Sequence, residues 1–239
     1  MSETPQPELP FTTPQAVRFD RALLDSHRSD PGEEAWRAMR IQGEFVNAFD
    51  VLGNLGPAVA VFGSARLGEG RPEYETGRVV GGELARRGIA VVTGGGPGIM
   101  EAANRGAREV GGVSVGLGIQ LPFEDGFNHY IDLSVPFHYF FARKVNFVKY
   151  TQGAVILAGG IGTLDELFEV LTLIQTRKVS DYPVALVGVE FWGPLIDWIR
   201  GTLLAAGTVS EADVLRPFVT DDPVAAVAHA VGVDVEGGK

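Results

Sequence analysis

Residues 154–169 read Ala-Val-Ile-Leu-Ala-Gly-Gly-Ile-Gly-Thr-Leu-Asp-Glu-Leu-Phe-Glu, an order that predicts a strand, a glycine turn and then a helix. The apolar run 154–157 is typical of a buried strand, and the glycines allow a tight turn before a helix over 163–176. A helix that follows such a turn presents free backbone N–H groups and a partial positive charge at its start. This segment therefore predicts an α/β unit with an anion site at the carboxyl end of a strand.

The same alternation of apolar runs and helical patterns extends in both directions from this segment. The predicted strands are 58–62, 89–92, 113–117, 131–135, 154–157, 184–187 and an edge strand at 217–219. The predicted helices are 33–52, 72–87, 99–110, 138–150, 163–176, 194–204 and 223–231. Because most of these strands are apolar throughout, helices should cover both faces of the sheet. The fold class is therefore α/β, with a doubly wound and mostly parallel sheet.

The chain divides into one main domain with flanking segments. Residues 1–32 are rich in Pro, Ser, Thr, Asp and Glu and are expected to be a mobile tail. Residues 33–56 form a helical extension that the glycines at 53 and 56 bring to an end. Residues 57–232 form the single α/β domain, and residues 233–239 form a short C-terminal tail.

The composition excludes several kinds of site and partner. The chain has no cysteine, which removes disulfides, thiolate metal sites and cysteine nucleophiles. Its net charge of −10 disfavours a nucleic-acid polymer as partner. No apolar stretch approaches the roughly 20 residues of a membrane-spanning helix, and the N-terminus does not have the pattern of a signal peptide. We therefore expect a cytoplasmic protein that does not bind a membrane. The four histidines lack the spacing of metal ligands, so we expect no metal either.

Three predicted strands end in loops of small residues, which are 63–65, 94–98 and 159–162. Ligands of open parallel sheets bind at this edge, so three such loops favour a phosphate-bearing ligand. The dinucleotide fingerprint fails because Ile99 stands at its final glycine position, and the ATP-binding P-loop pattern is absent. Residues 112–116 match the hydrolase pattern Gly-x-Ser-x-Gly, but Ser114 falls at or inside a strand that follows a helix, the wrong context for a nucleophile.

Two pairs of charged residues stand close to these loops in the sequence. Asp165 and Glu166 follow the third loop directly, where Thr163-Leu164-Asp165-Glu166 also has the pattern of a helix capping box. Capping and catalysis both remain open for Glu166 on spacing alone. Arg143 and Lys144 lie in a predicted helix that is otherwise largely apolar, so they are candidates for a partly buried polar site.

Taken together, these motifs resemble the LOG ("lonely guy") family, whose members are Rossmann-like phosphoribohydrolases often mislabelled as lysine decarboxylases. The resemblance rests on residues 94–102, Arg143 with Lys144, and residues 159–166, and it covers roughly residues 57–190 with an extension to 232. The family motif Pro-Gly-Gly-x-Gly-Thr-x-x-Glu is present except that Ala158 replaces the proline, which removes a rigid φ at the loop entrance.

The resemblance implies hydrolysis of the N-glycosidic bond of AMP or cytokinin ribotides, without a cofactor, by a cytoplasmic homodimer or larger homo-oligomer. It implies Arg143 and Glu166 as the catalytic pair. The implied substrate and phosphate ligands are Gly159, Gly160, Gly162, Thr163, Gly94, Gly95, Gly96, Gly98, Ser64, Lys144 and Asp165.

Two other functions remain as alternatives to this reading. One is a non-catalytic carrier of a nucleotide or of molybdenum cofactor on the same scaffold, because a fold alone does not decide function. The other is a decarboxylase, which would need pyridoxal phosphate on a lysine, and no lysine here lies in a recognisable motif for that cofactor.

Overall fold

The computed structural model describes residues 31–120 and 126–232. The helices are α1 (Pro31–Leu52), α2 (Pro72–Arg86), α3 (Ile99–Glu109), α4 (Phe140–Tyr150), α5 (Ile161–Gln175), α6 (Val189–Trp198), α7 (Glu211–Leu215) and α8 (Pro223–Ala230), with a π-helical stretch at Ile199–Leu204. The strands are β1 (Ala58–Phe62), β2 (Ala90–Thr93), β3 (Ser114–Ile119), β4 (Leu133–Phe137), β5 (Ala154–Ile156), β6 (Val184–Val187) and β7 (Phe218–Thr220).

The seven strands form one sheet in the order β4-β3-β2-β1-β5-β6-β7, and every pairing is parallel. This confirms the α/β, Rossmann-like prediction. Strands β2, β3 and β4 follow one another on one side of β1. The chain then returns to the other side of β1, where β5, β6 and β7 follow one another. The strand order therefore reverses between β1 and β5, and this is where open α/β sheets bind their ligands.

Both faces of the sheet are covered by helices, as the continuous apolar strands predicted. Ala60 and Phe62 of β1 belong to the core that includes Leu167 of α5, together with side chains of α1, α4 and α6. Val59 and Val61 belong to a second core with side chains of α2, α3 and α8. Strands β1, β2, β5 and β6 are buried along their whole length and show no period-two alternation, whereas the edge strand β4 alternates between exposed and buried residues in its second half.

The loops after β1 and β5 meet directly at the switch point. The backbone N–H of Ser64 donates a hydrogen bond of 3.0 Å to the carbonyl of Ala158. The carbonyl of Ser64 accepts one of 3.0 Å from the N–H of Ile99, the first residue of α3. Thus the three small-residue loops predicted from the sequence lie together at one edge of the sheet.

The predicted boundaries of the helix over 194–204 were wrong. Helix α6 begins five residues earlier because Gly188 adopts φ +111° and the carboxylate of Asp221 accepts a hydrogen bond of 2.8 Å from the N–H of Val189. Pro194 lies inside α6, and the segment continues as the π-helical stretch. Helix α7 was not predicted, although Ser210 and Asp213 form a capping box that is visible in the sequence.

The predicted tails fall largely outside the described residues. Residues 1–30 and 233–239 are not described, so the expected mobility of both tails is untested there, and α1 accounts for most of the predicted helical extension. Within residues 31–120 and 126–232, the helices are too short or too polar to cross a membrane.

Candidate active site

The N-terminus of α5 points out of the switch point without a side-chain cap. The helix begins at Ile161, and its N-cap residue is Gly160, which has no side chain to accept a hydrogen bond from the helix. The capping role that the spacing left open for Thr163 and Glu166 is therefore excluded, because Thr163 is already the third helical residue. The first N–H groups of α5 keep their donor capacity and their share of the helix dipole for an anion.

The predicted phosphate ligands of this loop lie around that helix end. A Cβ atom on Gly160 or Gly162 would meet nothing within 4 Å, so the space beside both residues is open. A Cβ atom on Gly159 would lie 2.1 Å from Thr163 Oγ1, so the absence of a side chain at Gly159 lets Thr163 fold back against the loop. Thr163 is buried as a result. The arrangement leaves room for a phosphate beside residues 160–162.

Glu166 lies one turn further into α5 and is buried, with 9% of its surface exposed. Burial raises the pKa of its carboxyl to about 7, although the positive charges of Lys144 and Arg143 act in the opposite direction. Lys144 Nζ lies 4.0 Å from Glu166 Oε1. A carboxyl group with this pKa exchanges its proton near neutral pH, as a general acid or base must.

Lys144 faces three carboxylates of α5. Its Nζ lies 2.9 Å from Asp165 Oδ2 and 2.6 Å from Glu169 Oε2, besides the longer approach to Glu166. Burial lowers the pKa of Lys144, but the hydrogen bonds to Asp165 and Glu169 outweigh that effect and leave the pKa raised. The structure thus places Lys144 and Asp165 in an ion-pair network beside Glu166.

Arg143 extends from the first turn of α4 toward the second glycine loop. Its Nε donates a hydrogen bond of 2.8 Å to the carbonyl of Leu117, and its guanidinium carbon lies 5.3 Å from the centre of the Phe147 ring. A Cβ atom on Gly94 would lie 2.3 Å from Arg143 Nη2. Gly94 is therefore the residue that makes room for the guanidinium.

The second glycine loop is held by the half-buried Asn128 and the buried Asn104, two residues that the sequence did not single out. Asn128 Nδ2 donates hydrogen bonds to the carbonyls of Gly95 (3.1 Å) and Gly96 (3.0 Å) and to Asn104 Oδ1 (3.0 Å). Asn104 Oδ1 also accepts a hydrogen bond of 2.7 Å from Thr93 Oγ1. Asn104 lies on the buried side of α3, and because asparagine is unfavourable inside helices, its presence among alanines was the available signal.

Gly95, Gly98 and Ser64, which were also predicted as substrate ligands, contribute to the packing and turns of their loops. Gly95 has φ +76°, and a Cβ atom there would lie 2.5 Å from the Phe127 ring. Gly98 has φ +70°, and its Cβ would lie 2.4 Å from the carbonyl oxygen of Ser64. The Ser64 hydroxyl accepts a hydrogen bond of 3.1 Å from the N–H of Arg66.

The serine of the Gly-x-Ser-x-Gly pattern is structural. Ser114 is the first residue of β3, is fully buried and accepts a hydrogen bond of 2.8 Å from Asn104 Nδ2. Its backbone N–H donates to Asp132 at 3.0 Å. A nucleophile elbow places its serine at an exposed turn between a strand and a helix, so this serine is not one.

A cleft of about 630 Å³ opens beside the loop that follows β5. Leu157, Ala158, Gly188 and Phe191 line it on the side of the sheet edge, and Thr76 of α2 lies across from them. Its volume is within the range of small-molecule sites. Because Glu166 and Arg143 do not line it, we define the candidate active site by the charged pair and the α5 terminus.

Comparisons with known proteins identify one family and several relatives that are similar to this chain. The protein family described as "Possible lysine decarboxylase" matches residues 100–230. A cytokinin riboside 5′-monophosphate phosphoribohydrolase of Mycobacterium tuberculosis is 32% identical over 148 residues, which are 60% of this chain and 77% of that protein. A protein of the same name from Rhodococcoides fascians is 28% identical over 175 residues, 72% of this chain and 87% of that one.

The solved structures that resemble the chain include the molybdenum cofactor carrier protein of Chlamydomonas reinhardtii. It is 24% identical, covers 72% of this chain and 94% of its own, and has a TM-score of 0.53. This likeness supports the shared fold.

Proposed function

The chain belongs to the LOG family, the family described as "Possible lysine decarboxylase", and we propose that it hydrolyses the N-glycosidic bond of a nucleoside 5′-monophosphate. The products would be the free base and ribose 5-phosphate. The proposed substrates are cytokinin ribotides, the class that the names of the two relatives give, and AMP.

The observation that carries this proposal is the position of Glu166. Its carboxyl group is buried, lies one turn from the uncapped start of α5, and is subject to the positive charges of Arg143 and Lys144. A phosphate at the helix start would hold the sugar close to this carboxylate. The same short segment thereby supplies both the anchor and the reacting group.

In the proposed reaction, the bond between C1′ and the base nitrogen breaks, and its electron pair leaves with the base. The sugar develops positive charge at C1′, which the ionised Glu166 stabilises. Water forms the new bond to C1′ and gives a proton to Glu166. The base nitrogen takes up a proton from the solvent, and Glu166 afterwards returns its proton to the solvent, so that one water molecule is consumed. Arg143 holds the carboxylate and the ribose in place, and the first N–H groups of α5 together with Thr163 bind the 5′-phosphate.

Lys144 has a different role in this proposal from that of a direct phosphate ligand. We infer from its short contacts with Asp165 and Glu169 that Lys144 balances the charge of the acidic cluster. The same contacts argue against a decarboxylase, because a lysine that forms a Schiff base must lose its proton, whereas the pKa of Lys144 is raised.

We include in the proposal the homodimer or larger homo-oligomer that the LOG resemblance implies. Helices α4 and α5, which carry Arg143 and Glu166, also carry exposed apolar side chains, which is consistent with a covered surface; they are Phe140, Phe141, Val145, Ile161 and Phe168.

The test is to incubate the protein with AMP and with adenosine and to measure free adenine. Because binding of the remote phosphate positions the reacting bond, AMP should be cleaved and adenosine should be a very poor substrate. Glu166→Gln should abolish turnover of AMP, and the exposed Glu190→Gln should retain it.

Other results would contradict specific parts of the proposal. Equal kcat/KM for AMP and adenosine would show that the α5 loop is only a packing turn. Wild-type turnover by folded Glu166→Gln would remove this residue from catalysis. Tight binding of AMP without any release of adenine would favour the carrier alternative.

A further inference from the structure

Glu44 of α1 contacts the beginning of α4 across 94 residues of sequence. Its Oε1 accepts a hydrogen bond of 2.8 Å from the backbone N–H of His138 and lies 2.9 Å from His138 Nδ1. Its Oε2 accepts a longer one of 3.4 Å from the N–H of Tyr139. Glu44 is thus an acceptor for two successive backbone donors that precede the helix.

This contact holds the two residues that directly precede α4, a helix without a side-chain cap of its own. The N-cap residue of α4 is Tyr139, which makes no side-chain hydrogen bond to the helix. The side chain of Glu44 is 10% exposed, so the N–H groups it satisfies have little access to water as an alternative partner. A carboxylate at a helix start also interacts favourably with the helix dipole.

Helix α1 also contacts the far end of α4. The ring of Phe49 lies 6.3 Å from that of Tyr150, and Lys149 Nζ lies 5.0 Å from the centre of the Phe49 ring. Ala48 and Leu52 of α1 are buried in the core. The extension therefore contacts α4 at both ends, which fixes its position along its axis.

We propose that Glu44 is a positioning residue of the active site, acting through the first turn of α4 to hold Arg143 beside Glu166. The N–H of Arg143 donates a hydrogen bond of 3.2 Å to the carbonyl of Tyr139, one of the residues that Glu44 holds. The catalytic consequence rests on the proposed function. The N-terminal extension is then part of the catalytic apparatus instead of an appendage to it.

The consequence for Glu166 follows from the charges that face it. Lys144 and Arg143 of α4 lower the pKa of Glu166, whereas Glu169 and Asp165 of α5 raise it. Tyr182 also interacts electrostatically with Glu166. If the first turn of α4 shifts, Glu166 loses positive charge and keeps its negative neighbours, so its pKa should rise further.

The experiment compares Glu44→Gln with Asp50→Asn, which neutralises an exposed acid on the same helix. The carboxyl group of Glu166 is titrated by ¹³C NMR, with its signal assigned by its loss in Glu166→Gln. In Glu44→Gln the apparent pKa of Glu166 should rise by at least about half a unit, and kcat for AMP should fall roughly tenfold with a smaller change in KM. Asp50→Asn should match the wild type in all three measurements.

An unchanged titration of Glu166 in Glu44→Gln, or equal shifts in the two variants, would overturn the proposal. If Glu44→Gln does not fold, Glu44→Asp, which keeps the charge on a shorter side chain, is judged by the same titration. A wild-type protein that does not cleave AMP would defeat the proposed function alone, because the titration needs no turnover.

Discussion

Glu166→Gln should stabilise the protein at alkaline pH while it abolishes activity. The pKa of the Glu166 carboxyl is raised from 4.5 to about 7, first of all by burial. The folded state therefore holds this proton more tightly than the unfolded state, and the free energy of unfolding falls as the pH rises from the unfolded pKa through the folded one. Glutamine has no proton to lose and is not subject to this decrease.

The shift of about 2.5 pKa units, at 1.36 kcal/mol each, corresponds to roughly 3 kcal/mol of unfolding free energy above pH 8. Because Glu166 is 9% exposed, solvent screening reduces this value little. At pH 4.5 the side chain of Glu166 is neutral in the folded state and about half ionised in the unfolded state, so the pH-dependent gain of the variant over the wild type should there be below about 0.5 kcal/mol.

The assay is urea unfolding at pH 4.5 and pH 8.5 for the wild type, Glu166→Gln and the exposed Glu190→Gln, all at one protomer concentration. Only Glu166→Gln should show a gain that grows with pH. A variant that is less stable than the wild type at pH 8.5, or a gain of equal size at both pH values, would refute the argument. It would mean that burial does not disfavour the ionised Glu166.

Two further predictions concern the second glycine loop. Gly94→Ala should reduce kcat at least tenfold with little loss of stability, because its Cβ would displace only the ends of two flexible side chains, Arg143 Nη2 at 2.3 Å and Met100 Sδ at 2.7 Å. The control is Gly43→Ala, whose Cβ would lie in open space on α1; it should leave kcat unchanged and stabilise the helix by about 1 kcal/mol. Equal kcat in the two variants would remove Gly94 from the site. Asn128→Ala should lower the free energy of unfolding by about 1–3 kcal/mol, because Asn104 and two glycine carbonyls lose a donor, and urea unfolding against His129→Ala would measure it. A loss no larger than that of His129→Ala would mean that water replaces the asparagine.

Most of the sheet followed from the sequence because its signals are local. Runs such as 58–62 and 184–187 are apolar at every position, and glycine-rich loops join them to helices, which restricts the fold to a parallel sheet covered on both faces. Arg143 and Glu166 were also identified from the sequence, through the motifs that they belong to. Their catalytic role remains a prediction.

Other features depended on contacts between distant residues. The capping box at Thr163 had the correct residue types, but the helix begins at Ile161, because the turn after β5 decides where helical geometry starts. The start of α6 depends on a hydrogen bond from Val189 to Asp221, which lies 32 residues away. Sequence spacing holds no information about partners of this kind.

The sequence by itself therefore determined the order of strands and helices, the glycine loops and the residue types at the site, since each depends on neighbours within a few positions. The tertiary structure decided that Glu166 is buried and its pKa raised, that Lys144 pairs with Asp165 and Glu169, and that Glu44 binds the two residues before α4. These properties depend on burial and on charges that approach from other elements, and only the assembled sheet and its helices bring those charges within a few ångströms of one another.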